Sequence, residues 1–196
     1  MPEAELQDYS FLAAVAGMID DAGLTVTYVA ATETGAEHIL VNAGTADDPL
    51  IPVRVVMLDN LLDHESNDEA GIDEADQPLL LQASALLPFA IGTDRLTDVM
   101  HAVFMLNRCH PLGAFGVSPQ GACYAQATIA LASPDDLDNG VTEVTIATLC
   151  TVIELHTPGL KSLAAGTITL AQFTSELEAL GLATLPVHPA QPLGDR

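Results

Sequence analysis

The stretch NRCHPLGAFGVSPQGACYAQATIALASP, residues 107–134, brings Cys109, His110 and Cys123 close together, as a metal site or a thiol nucleophile would. It also carries no charged residue from Pro111 to Pro134, in a chain whose formal net charge is −22. Arg108 and His110 complement the negative end of a helix and Pro111 stops it, so Cys109 and His110 sit where a helix ends. Beyond that point LGAFGVS reads as a short strand, PQG as a turn in which Gly121 takes a positive φ, and ACYAQATIALA as the returning strand. Phe115 and Val117 alternate on the first strand. On the second, Tyr124, Gln126, Thr128 and Ala130 share one face, and Cys123, Ala125, Ala127, Ile129 and Leu131 share the other. A solvated face of an antiparallel sheet ordinarily carries polar and charged residues, and neither face here carries charge. Both are therefore expected to be covered, one by a helix of the same chain and the other by loops or a second subunit.

Working outward, Leu96, Val99, Met100, Val103 and Phe104 form the stripe of the preceding helix, with Thr93 as its cap and Asp94 in its first turn. A first helix is marked by Phe11, Leu12, Val15, Met18 and Ile19, with Glu3 and Glu5 at its favourable end and Gly23 as its stop. Asp20 and Asp21 sit unfavourably at its negative end. LTVTYVAAT, EHILVNAG, IPVRVVML and QPLLLQASALLPFAIG then read as strands in a meander. After the hairpin, VTEVTIATLCTVIEL is rich in β-branched residues, which favours strand. Its spacing of Val141, Val144, Leu149, Val152 and Ile153, continued by Leu160 and Leu163, favours helix, which is the reading adopted, with a break or kink at Pro158 and Gly159. LAQFTSELEALG, with Leu170, Phe173, Leu177 and Leu180, is a last short amphipathic helix. The expected class is α+β, an antiparallel sheet packed against helices in the order helix, strands, helix, hairpin, helix. Residues 1–182 form one domain and 183–196 a proline-rich tail.

At 196 residues and 49% apolar content, the chain can bury a core without disulfides or metal. With aromatics at 4%, that core must be mainly Ala, Leu, Val and Ile. The 27 Asp and Glu face only five Lys and Arg, which repels the phosphates of nucleic acid and anionic lipid. Neither is expected as a partner. The acidity reads first as solubility and second as steering of a basic partner. Three cysteines in no paired pattern fit reduced thiols. MPEAELQDYS lacks the features of a signal peptide, and the most apolar window, PLLLQASALLPFAIG, is too short to span a bilayer. A soluble, cytoplasmic protein is expected.

The pattern LNRCHPLGAFGVSPQGACYAQATIAL resembles the signature region of the YbjN-type proteins, whose fold is that of type III secretion chaperones. Asn107, Gly113, Phe115 and Gly121 stand where that family has an Asn-containing turn, Gly-x-Phe and a glycine turn. The resemblance covers residues 93–165 and is topological before them. It implies a dimer that binds other polypeptides, or a bacterial regulator, and it brings no catalytic residues. The long β-branched helix and the acidic loop depart from the pattern.

Chemical alternatives have little support. Adjacent Cys109 and His110 diverge, so a Cys–His pair would need His38, His101 or His156. A zinc site from Cys109, Cys123 and a histidine lacks Cys-x-x-Cys spacing. His101 reads as a surface or hydrogen-bonded histidine. Residues 59–76 hold eight carboxylates, but Gly71 is followed six places later by Gln77 rather than the glutamate of a calcium loop. The expectation is a non-enzymatic, dimeric, protein-binding module without cofactor, whose partner or dimer surface includes Phe115, Val117, Tyr124, Gln126 and Thr128. The alternative is a metal-dependent or small-molecule-binding enzyme or sensor using the acidic loop or the Cys and His residues.

Overall fold

The computed structural model describes residues 10–44, 51–58, 79–110, 112–133, 137 and 140–182. The acidic stretch 59–76, Glu3 and Glu5, and the proline-rich tail lie outside these residues. Ten elements follow in order: α1 (Phe11–Asp21), β1 (Val26–Val29), β2 (His38–Ala43), β3 (Ile51–Leu58), β4 (Leu79–Ala90), α2 (Leu96–Cys109), β5 (Ala114–Val117), β6 (Ala122–Leu131), α3 (Val141–Ala164) and α4 (Leu170–Ala179). The strands form one antiparallel sheet in the order β1-β2-β3-β4-β6-β5. The α+β class, an antiparallel sheet packed against helices, follows the sequence reading. Among the described residues, no helix is long and apolar enough to cross a membrane.

One face of the sheet is lined by Ile39, Val41, Val53, Val55, Leu81, Ala83, Ala125, Ala127 and Ile129, each at most 5% exposed. Helix α3 lies across β6, β2 and β4 on this face, α1 covers β1 and β2, and α2 packs on β5. Helix α1 starts at Ser10, whose Oγ accepts from the Ala13 N–H, and buries Leu12, Val15, Ala16 and Ile19. Ser10 and Tyr28 both donate to the Glu37 carboxylate, which ties this helix start to the first hairpin.

Three sequence expectations are corrected. Helix α2 begins after Arg95, with no side-chain cap, because Thr93 falls in the turn closed by the Arg95 N–H on the Gly92 carbonyl; its first-turn acid is Asp98. Its buried stripe is Val99, Ala102, Val103 and Leu106, one helical face. Met100 and Phe104 lie beside that stripe, 53% and 63% exposed, and Arg108 sits over the Phe104 ring. Third, α3 runs 24 residues through Pro158 and Gly159. Pro158 removes the N–H that would bond the Glu154 carbonyl, yet its ring faces away from the core. Gly159 leaves space for α4: a Cβ there would lie 3.0 Å from the Phe173 ring. The inward side of α3 includes Thr142, Thr145, Ile146, Leu149, Ile153, Leu160 and Leu163, whereas Val141 and Val144 point outward, as does Leu180 after α4. Helix α4 is capped by Thr169 and Gln172 reciprocally.

The segment between α2 and β6 is held by one side chain. Asn107 Nδ2 donates to the Phe115 carbonyl at 2.9 Å, and its Oδ1 accepts from the Phe115 N–H at 2.7 Å. The amide thus acts as a strand would toward β5, whose outer edge has no neighbour in the sheet. Gly121 closes the hairpin at φ 77°, with its carbonyl accepting from the Ile91 N–H at 3.0 Å. Replacing Asn107 by Ala removes both bonds and leaves the Phe115 backbone unpaired, at an expected cost of about 2 kcal/mol. Urea unfolding of the variant checks this; a change below about 0.5 kcal/mol would mean that β5 is positioned by packing alone.

Candidate functional site

Period-two alternation puts the opposite set of side chains on the second face of the sheet. Cross-strand rows follow from the register: Leu86, Tyr124 and Gly116; Arg54, Ser84, Gln126 and Ala114; Val56, Gln82 and Thr128; Leu58, Leu80 and Ala130. No Asp or Glu occurs in any of the six strands, and Arg54 is their only Lys or Arg. Apolar groups stand at two ends, around Leu86 and around Leu58, with amides and hydroxyls between them. Leu86 is 66% exposed. The Tyr124 ring lies across β5, so close that a Cβ on Gly116 would fall 2.2 Å from its Cζ. Among the described residues, α1, α2 and α3 pack on the other face, and α4 packs on α2 and α3.

The five residues expected to form one surface divide between the two faces. Tyr124, Gln126 and Thr128 are on the open one. Phe115 pairs with Ala125 and Val117 with Cys123, so both point inward; Phe115 is 4% exposed beneath the helices. Strand alternation predicts this split once Phe115 and Cys123 are placed in register, a register the sequence leaves open. Leu86 and Leu80, which sequence reading left inside an apolar run, join the open face.

The cysteines and histidines go elsewhere. Cys109 Sγ donates to the Leu182 carbonyl at 3.9 Å, while the His110 ring points to α3. Cys123 and Cys150 are buried, and burial pushes their thiols up to about 12 and about 11, the Glu154 carboxylate adding to the rise at Cys150. Such thiols are protonated at neutral pH and are poor nucleophiles. Among the described residues, no three His, Cys, Asp or Glu side chains converge as a metal set.

Sequence reading did not foresee the pairing of His110 with His156. Their Nε2 atoms are 2.8 Å apart, and the Phe115 ring stands edge-on to His156. One imidazole donates and the other accepts through a bare Nε2, so at least one of the two is neutral, and a neutral pair carries opposite tautomers. Burial lowers both; His156, 2% exposed, falls to about 4, with His110 as a further cause. The bond ties the end of α2 to the middle of α3. Comparison with protein-family models and with curated proteins finds no match to this chain.

An unfolded His156 titrates near 6.5 and the folded one near 4, so the unfolded chain binds the extra proton in between. Its contribution to stability is full above about pH 6.5 and is lost as pH falls toward 4. From about pH 7.5 to about pH 5 this amounts to roughly 2 kcal/mol. Urea titrations at both pH values should show His156→Gln losing less stability over that interval than the parent chain; equal losses would show that the pair does not govern acid sensitivity.

Proposed function

We propose that this protein is a non-enzymatic, chaperone-like protein-binding module that acts as a homodimer. The observation that carries the reading is the open sheet face, free of carboxylates in a chain of net charge −22. Two copies of so acidic a molecule repel each other wherever their carboxylates meet. The sheet face is a surface on which they approach without bringing acids together. Strand spacing and rise give it an extent of roughly 700 Å², close to the roughly 800 Å² that each partner buries in a standard-size interface. The edge strand β1 then remains for a polypeptide client to add a strand, since the outward backbone of Phe115 in β5 is held by Asn107.

The resemblance of residues 93–165 to the YbjN-type proteins, in the type III secretion chaperone fold, supports the same reading. The helix, sheet, helix, hairpin, helix order is compatible with it. Engagement of the buried thiols and imidazoles in packing and in each other favours binding over catalysis.

A substitution on a two-fold interface is felt twice. Thr128→Glu, Tyr124→Glu and Leu86→Glu, all at partly or well exposed positions, should each weaken self-association about tenfold or more, about 1.4 kcal/mol, with little change in unfolding midpoint of the monomer. Sedimentation equilibrium at micromolar concentration reads this directly. A monomeric parent chain would overturn the dimer.

A further inference from the structure

A cavity of about 440 Å³ opens between the C-terminal half of α3 and the end of the sheet where β2 stops, β3 starts and β4 bends. The sequence reading assigns it nothing. One face of α3 supplies Glu154, Thr157, Pro158 and Lys161, and Ile51 and Pro88 supply apolar walls.

Two features distinguish this cavity from a packing defect. Lys161 is the chain's only lysine, and it pairs with no carboxylate of the described residues, in a molecule with 27 acids. Glu154 Oε1 accepts from the Gly44 N–H at 2.8 Å, which fixes the carboxylate at the opposite end and leaves Oε2 for another donor.

Glu154 and Lys161 are seven residues apart on one helix, two turns, or roughly 10.5 Å. An extended peptide advances about 3.3–3.6 Å per residue, so about three residues span the two charges. We propose that this cavity binds a short zwitterionic peptide of about three residues, its α-ammonium on Glu154 and its carboxylate on Lys161, with apolar side chains against Ile51 and Pro88. The inference is independent of dimer formation, because none of these residues belongs to the open sheet face except Pro88 at its corner.

The test is calorimetric titration of the full chain with trialanine, Ala-Leu-Ala and trileucine, each also as its N-acetyl and C-amide forms. At least one free tripeptide should bind once per chain, and either cap should weaken it about tenfold or more. Lys161→Met should weaken the free peptide while leaving the amide form unchanged. Glu154→Gln, which keeps an acceptor for Gly44, should do the same for the acetyl form. Absence of millimolar binding by all three free peptides, or equal binding of free and capped forms, would overturn the proposal. Sedimentation of the same samples separates this outcome from failure of the dimer.

Discussion

The pairing of β4 with β6 is the constraint on which the rest of the molecule depends. Strand β4 spans Leu79–Ala90, and it joins the early meander to the late hairpin by pairing with β3 on one side and β6 on the other. Leu79 meets Leu131 and Leu86 meets Tyr124 in one continuous register, which shifts only between Leu86 and Ala90. A slip of one residue would turn Leu81, Ala83 and Ala85 outward and bring Gln82 and Ser84 beneath α3. The buried amide and hydroxyl would then lack partners, so register and helix packing enforce each other. Asn107 extends this control to β5 by clamping the Phe115 backbone from outside the sheet.

Much of this was legible because alternation and turn chemistry are local. β3 occupies the predicted IPVRVVML, Gly121 takes its positive φ, and the Cys123 to Leu131 set is the buried face of β6. The choice of helix for 141–157 also holds, because tertiary burial of a long stripe outweighs β-branched propensity. What failed was rotational detail. Met100 and Phe104 are apolar and correctly spaced, but the α2 axis is set by contacts with β5 and α3, which no helical wheel contains. Of the break or kink expected at Pro158 and Gly159 the break does not occur, and Gly159 instead admits the Phe173 ring, a contact made across fourteen residues of chain. Division of Phe115 and Tyr124 between opposite faces depended on a hairpin register that composition leaves open. The His110–His156 bond joins residues too distant for spacing to reveal.

The low aromatic content is resolved by a division of labour between layers. Central positions of the sheet's inner face are small: Ala83, Ala85, Cys123, Ala125 and Ala127. Small residues there let α3 settle close to the strands, and the volume is filled from above by Ile146, Leu149, Ile153, Leu160 and Leu163. In this setting Cys123 and Cys150 act as small hydrophobic residues, which is why burial drives their thiols upward instead of activating them. The cluster that first suggests chemistry in the sequence is thus explained by packing density.

Charge is partitioned by the same logic. The inner face is filled by apolar groups, and none of the acids among the described residues lies in a strand. A sheet face without acids is not needed for folding, since solvated antiparallel faces tolerate charge readily. In the proposed dimer, a cause outside the monomer's own stability would account for it. Contact with a surface of like charge is such a cause: each carboxylate placed there would be desolvated and set against its copy, whereas hydroxyls, amides and aliphatic groups meet their equivalents without repulsion. Arg54, beside Ser84 in the centre of the face, is the one ionic group on it, and in a chain so rich in carboxylates a cation is the sign that an approaching acidic molecule tolerates.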